Sequence, residues 1–488
     1  MFELLVALHQ LSKARPQDSA FTQDQRSLSY GALAERVGGL SHDLSTSAHD
    51  TIAIFAPNGL EWVIADLSVA FAGKTMVPLP TFFSESQLRH IIENAGVGHI
   101  LAIRETLPQA QALGLPVTEI SVDGPIAPLD SAKNRGIEAQ RIIYTSGTTG
   151  APKGVRLGDK QICASAKGLL AASGANAEDR YLSVLPFSLL LEQIAGIALP
   201  ILAGAPVVIA SNAAGAAFQG DTMPLMSAFE TAFDGAGATA SVLVPGLLDA
   251  WVKTLTATNN TAPASLRFVA VGGAPVNQTL AKTAWDLGLP VHEGYGLSEC
   301  CSVVSVNRPG RRSEGTTGLP LPGLNVTLQD GEIVVHGDTV MAGYLGHDND
   351  HENNPGGVWR TGDLGEFSST GALRILGRKD NLIVTQAGRN ISPEWVEGLC
   401  ETSPGVAKCV LTHVVDQGLV LIVVGTPDVA AILQAQYAQL PDYARPNHTA
   451  IVDGADVAEY ELLTPLGDAR RAQCQIFAGQ WLSRQTAA

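Results

Sequence analysis

Short apolar runs rich in β-branched residues recur along the first part of the chain: TIAIFAP (51–57), RIIYTS (141–146), APVVIA (205–210), ASVLVP (240–245) and RFVAVGG (267–273). Each is too short for a helix and is bounded by glycine, proline or polar residues, so each reads as a buried strand. Between them, LEWVIADLSVAFAGK (60–74) and SESQLRHIIENAG (84–96) place apolar residues at helical spacing. Strands alternating with helices predict parallel sheets of the α/β class. Beyond about residue 310 the period changes. NVTLQDGEIVVHGD (325–338) alternates around an Asp-Gly turn, which predicts an antiparallel hairpin. The last stretch mixes one helix, PEWVEGLCETS (393–403), with the strands AKCVLTHVV (407–415) and GLVLIVVG (418–425), enough for a small α+β domain.

The span 193–220 carries no charged residue, which raises the question of a membrane segment. Gly196, Pro200, Gly204 and Pro206 interrupt it, and VVIA (207–210) has strand character, so a buried helix followed by a buried strand is expected. The opening MFELLVALHQLSKARP has no basic residues ahead of its apolar ones and reads as an amphipathic helix, not a signal peptide. A cytoplasmic protein without a transmembrane segment is the expectation.

At 488 residues the chain is long enough for roughly two to four structural units. Its 31 basic and 47 acidic side chains give a net charge of −16, a field that repels phosphate backbones and argues against nucleic-acid binding. The six cysteines show no C-x-x-C pair and no Cys/His spacing suited to zinc, so reduced thiols are expected.

The strongest local signal is the run YTSGTTGAPKG (144–154), directly after the strand RIIY. Gly147 and Gly150 allow a polyphosphate to approach the backbone, Thr145, Ser146, Thr148 and Thr149 supply hydroxyl donors, and Lys153 supplies a cation. The lysine follows a proline and precedes a glycine, which is not the Walker spacing, so a P-loop kinase or GTPase is disfavoured.

This run resembles the phosphate loop of the adenylate-forming superfamily, which contains acyl-CoA synthetases, peptide-synthetase adenylation domains and luciferases. Further motifs follow in the family's order. VGGAPV (271–276) resembles the adenine-side loop, with Gly273 and Ala274. GYGLSE (294–299) resembles the next motif, which assigns Tyr295 and Gly296 to adenine, Ser298 to the phosphates and Glu299, with Thr145, to magnesium. TGDLG (361–365) makes Asp363 the ribose ligand. LGRKDNLIVTQAGRNISPEWVE (376–397) makes Arg378 a ribose and phosphate contact, Asp380 a hinge and Gly388 the lining of a thiol channel. The resemblance implies a large N-terminal domain (1–376) of parallel α/β sheets with a distorted β-barrel, a hinge (377–380) and a small mobile α+β lid (381–488). It implies ATP and Mg²⁺, an acyl-adenylate intermediate, and transfer to coenzyme A or to the phosphopantetheine of an acyl carrier protein.

Two positions depart from the family pattern. The family's closing loop resembles L-T-P-x-G-K, whose lysine contacts both carboxylate and α-phosphate. Here LTPLGDARR (463–471) places Asp468 at that position, and no lysine follows Lys408. A carboxylate there repels acid and nucleotide alike unless Arg470 or Arg471 reaches in. LPFSLLLEQ (185–193) resembles the acyl-side segment L-P-L-x-H-x-x-E. Glu192 matches, and Leu189 stands where the histidine is usual. The segments PLPTFFSESQLRHII (78–92) and KDNLIVTQAGRNISP (379–393) lean to the fatty-acyl branch, so a fatty or aryl carboxylic acid is the expected substrate. Three readings stay open: an acyl-CoA ligase, an acyl carrier protein ligase that the −16 charge disfavours, and a nucleotide- or adenylate-binding protein impaired in adenylation.

Overall fold

The computed structural model describes residues 2–129, 139–145, 152–210, 223–346, 357–384, 389–415, 417–463 and 469–487. These divide into two compact units, one of 1–327, 334–359 and 369–373, the other of 328–333, 360–368 and 374–488.

The first unit is built on two sheets. One has parallel strands Ser19–Gln23, Val207–Ile209, Tyr181–Ser183, Ala240–Leu243, Phe268–Val271 and Val291–Tyr295 side by side. Antiparallel strands close its two edges. The other runs through parallel strands Gln140–Thr145, Thr75–Pro78, Thr51–Phe55, His99–Ala102 and Val117–Glu119. It continues, antiparallel, into Lys153–Gly158 and Gly343–Tyr344. The five apolar runs of the sequence are thus strands, at Thr51–Phe55, Gln140–Thr145, Val207–Ile209, Ala240–Leu243 and Phe268–Val271. The helices at 60–74 and 84–96 form as Leu60–Phe71 and Glu85–Ala95, the second held by a capping box between Ser84 and Gln87 and stopped by Gly96 at φ 62°.

The uncharged span folds inward. Helix Leu190–Gln193 passes through a π-helical turn, Ile194–Ala198, into helix Leu199–Ala203 and then strand Val207–Ile209, nearly all buried. Among the described residues no helix is long and apolar enough to cross a membrane. The six cysteines are all buried and unpaired by disulfides.

A polar network ties these elements together. Arg141, in the strand that ends at Thr145, is buried against Asp66 of helix Leu60–Phe71, with Nη1–Oδ1 at 2.6 Å and Nη2–Oδ2 at 2.9 Å. Its Nη1 also donates to Gln193 Oε1 at 2.6 Å. Gln193 in turn donates to the Phe187 carbonyl, and Asn58 clasps the same segment through Phe187 N and Leu185 O.

The hairpin around Asp330 and Gly331 forms as expected, both turn residues at positive φ (52° and 80°) between Asn325–Gln329 and Glu332–His336. The second unit holds a three-stranded sheet of Val406–Val414, Gly418–Gly425 and His448–Val452, flanked by helices Pro393–Cys400 and Arg471–Ala487.

Removing one partner from a buried ion pair strands the other charge. Arg141→Met is expected to lower stability by about 3–5 kcal/mol, whereas Asp66→Leu with Arg141→Met should lose markedly less. Urea unfolding of the two variants beside the parent checks this.

Candidate active site

The strand Gln140–Thr145 and its antiparallel partner Lys153–Gly158 pair Thr145 with Lys153 and Tyr144 with Gly154. They hold the two ends of the phosphate-loop sequence together. Ser146, Gly147, Thr148, Thr149 and Gly150 lie outside the described residues, as do Gly388 and Asp468. Gly154 is a requirement of packing: a Cβ there would sit 2.8 Å from Ile142 Cγ2. Tyr144 donates to Asn94 Oδ1 at 2.6 Å, and burial pushes its hydroxyl up to about 12, so it stays neutral. Lys153 is exposed, and Thr145 is half-buried.

The short strand Gly343–Tyr344 lies along Val155–Arg156. Leu345 N donates to the Gly154 carbonyl at 2.8 Å and Ala342 N to the Arg156 carbonyl at 2.9 Å. Tyr344 thereby reaches both charged candidates. Its hydroxyl donates to Glu299 Oε1 at 2.7 Å, and Lys153 Nζ stands over its ring, 5.3 Å from the centroid. Nothing in the sequence pattern singled out Tyr344, because VMAGYLG (340–346) carries neither a helical nor an alternating period.

Glu299 sits on a 3₁₀ turn, Ser298–Cys300, just beyond strand Val291–Tyr295. Cys301 and Ser302 follow at positive φ, 52° and 81°, a conformation that side-chain-bearing residues adopt only when their surroundings enforce it. The enforcing bonds are Ser165 Oγ to the Cys301 carbonyl at 2.6 Å and Met341 N to the Glu299 carbonyl at 2.8 Å. Gly296 lies so close to the folded-back chain that a Cβ would meet the Ser302 carbonyl at 1.6 Å. Tyr295, Gly296, Ser298 and Glu299 are all half-buried. Next to this strand, Phe268–Val271 runs parallel and ends in Gly272 and Gly273, the latter at φ 86° and exposed like Ala274. Both motifs therefore leave the carboxyl ends of adjacent parallel strands, the edge where open α/β sheets bind ligands.

Among the described residues no three or more His, Cys, Asp and Glu side chains gather as a metal cage. A single half-buried carboxylate, Glu299, suits Mg²⁺, which takes one or two protein oxygens and fills its shell with phosphate and water. It does not suit zinc.

In the second unit, Asp363 is buried and receives Arg378 Nη1 at 3.1 Å. The same nitrogen reaches the Thr361 carbonyl at 3.4 Å, while Thr361 Oγ1 accepts from Asp363 N at 3.0 Å. Gly362, at φ 72°, lets the guanidinium lie against the backbone. Asp380 is exposed on the turn Lys379–Asn381, 4.0 Å from Arg378. The two arginines after Asp468 differ. Arg470 makes a surface pair with Glu461 at 3.0 Å. Arg471 is anchored, through 2.9 Å bonds to both Glu397 oxygens and a 3.1 Å bond to Glu394.

On the acyl side, Leu189 is half-buried and starts the helix Leu190–Gln193. Glu192 points inward. It is fully buried, accepts from the Tyr181 hydroxyl at 3.1 and 3.2 Å, and packs where a Cβ on Gly196 would stand 2.7 Å away. Burial pushes its carboxyl up to about 8.

A model of the AMP-binding enzyme family matches residues 8–345. The chain is 29% identical to a long-chain-fatty-acid–CoA ligase of Mycobacterium bovis, over 75% of this chain and 72% of that one. It is 27% identical to a 2-succinylbenzoate–CoA ligase of Bacillus licheniformis, over 84% and 86%. Its fold is that of the o-succinylbenzoate CoA synthetase of Bacillus subtilis bound to its acyl-adenylate, with a TM-score of 0.78, 22% identity and 96% and 97% coverage. It is equally that of an anthranilate CoA ligase, with a TM-score of 0.81, 18% identity and 97% of both chains covered.

A carboxyl held protonated only in the folded chain makes stability fall as pH rises from its unfolded value, near 4.5, to about 8. Glu192→Gln removes that dependence. The variant should gain melting temperature over the parent steadily between pH 5 and pH 8, read by thermal unfolding across that range. A parent–variant difference independent of pH would show that Glu192 is ionised in the folded chain.

Proposed function

The chain belongs to the AMP-binding enzyme family, and from that premise we propose that it activates a fatty or aryl carboxylic acid with ATP and passes the acyl group to coenzyme A. The observation that carries this reading is the pairing of Lys153 and Glu299, cation and carboxylate, around Tyr344 beside the end of the phosphate-loop hairpin. The named relatives act on a long-chain fatty acid and on 2-succinylbenzoate, which supports an acid with a large apolar or aromatic body.

In the first half-reaction the acid's carboxylate attacks the α-phosphorus of ATP and pyrophosphate departs, so charge builds on phosphate oxygens. Thr145, Lys153 and the loop residues Ser146 to Gly150 would hold these oxygens, a task of positioning and charge stabilisation. Glu299, with Thr145, would hold Mg²⁺, which supplies neutralisation of the triphosphate. Tyr295, Gly296, Gly273 and Ala274 would take the adenine, Ser298 the phosphate side, and Asp363 with Arg378 the ribose. In the second half-reaction a thiol displaces AMP. For that step we propose that residues 381–488 turn about Asp380 as a lid and that Gly388 lines the thiol's path. Coenzyme A is favoured over an acyl carrier protein as the acceptor, because carrier proteins are usually acidic and this chain carries −16.

A second reading, a protein impaired in adenylation that binds nucleotide or adenylate, has one observation in its favour: Asp468. Arg471 offers no easy rescue, since moving it would leave buried Glu397 without its cation. Arg470, on an exposed pair, is the arginine that could reach in.

ATP–pyrophosphate exchange with a panel of fatty and aryl acids tests the reading. The parent should exchange with at least one acid, Lys153→Ala should lose on the order of a hundredfold, and Asp468→Lys should gain about tenfold or more. Exchange by neither parent nor Asp468→Lys would sink the first reading. Silence in the parent with recovery in Asp468→Lys would establish the second.

A further inference from the structure

Lys153 and Glu299 carry opposite charges and share one neighbour, yet among the described residues they form no ion pair with each other. Tyr344 stands between them. Its ring face receives the ammonium and its hydroxyl donates to the carboxylate. The backbone around it is fixed on both sides, by Leu345 N to the Gly154 carbonyl and by Met341 N to the Glu299 carbonyl, each at 2.8 Å. Trp359 packs edge-on against the ring, centroids 6.0 Å apart. We propose that Tyr344 is a positioning residue that keeps Lys153 and Glu299 from neutralising one another, so that each meets the nucleotide with its charge uncommitted. The inference rests on the proposed function, which makes these two residues the nucleotide's cation and metal ligands.

The physical argument is one of competition. A lysine and a glutamate that share one neighbour attract each other, and a direct pair between them would compete with a triphosphate and its metal for both groups. A cation–π contact and a neutral O–H donor hold the same two groups without cancelling either charge, and both can be exchanged for phosphate and metal. Tyrosine alone among the side chains offers both a π face and a hydroxyl at its far end.

The test is ATP binding to the full chain in EDTA by titration calorimetry, which reads the interaction without magnesium and without turnover. Tyr344→Leu should weaken binding by about tenfold, since the released Lys153 pairs with Glu299. Adding Glu299→Gln to Tyr344→Leu should recover most of that loss, a gain larger than any that Glu299→Gln gives in the parent, and this non-additivity is one that a purely structural role would not give. Tyr344→Met, of similar volume and without a ring face, replaces the leucine variant if that chain does not fold. Parent-like binding by Tyr344→Leu, or failure of Glu299→Gln to restore it, overturns the proposal. Lys153→Ala is the separate control: parent-like ATP binding there would remove the phosphate-loop reading itself, whatever Tyr344 does.

Discussion

The first unit is organised around a buried charge. Arg141 brings a guanidinium into the protein interior, and three elements must converge to satisfy it: the strand that carries it, the helix that supplies Asp66 and the segment that supplies Gln193. Burial pushes the Asp66 carboxyl up, against the pull of the arginine, so the pair holds only while its geometry is kept. An apolar core of the same volume could stabilise as much, but would tolerate sliding between these elements. A fork of directed hydrogen bonds does not. Since the strand of Arg141 ends at Thr145 and the segment of Gln193 includes Leu189 and Glu192, the same network fixes the register between the proposed phosphate-binding hairpin and the proposed acid-binding segment.

The candidate site follows a different rule. Lys153 and Glu299 lie at strand ends, exposed and half-buried, and glycines with no room for a Cβ bring the chain back on itself at Gly296 and Gly154. Strain is concentrated in the same place, in the left-handed Cys301 and Ser302 directly after Glu299. A carboxylate aimed by a backbone that cannot relax loses little entropy on binding a cation, which is what preorganisation demands. Ser165, on the helix Asp159–Ser173, links this strained rim to the interior, its hydroxyl donating to the Cys301 carbonyl.

Much of this was legible in the sequence. The parallel strands announced themselves as short β-branched runs between turn residues, because a strand buried on both faces has no polar side to show. The Asp-Gly hairpin was legible because only residues tolerant of positive φ fit its turn. The nucleotide-side motifs were legible as ordered strings. What escaped were residues that matter through tertiary neighbours. Arg141 reads as a lone charge in an apolar strand until Asp66 and Gln193 are beside it, residues 75 and 52 positions away. Tyr344 reads as one aromatic in a loop until Lys153 and Glu299 meet on it. Glu192 was legible as a motif residue, but its inward orientation depends on Tyr181 and on the π-helical turn after it, which no short-range pattern specifies.

Both departures from the family pattern, Leu189 and Asp468, touch the side of the acid, and Asp468 touches the α-phosphate as well, while the strings that the resemblance assigns to adenine, ribose and magnesium are intact. On the proposed reading this asymmetry has a consequence for what the acid must supply. Neither position offers a cation to the attacking carboxylate, and Glu192, buried and protonated near neutral pH, offers none either. Without Arg470 reaching in, orientation of the carboxylate has to come from the remainder of the molecule, since binding energy in a remote apolar body can be spent on placing a reacting group. An acid with a long or aromatic body can meet that demand; a short, hydrophilic one cannot.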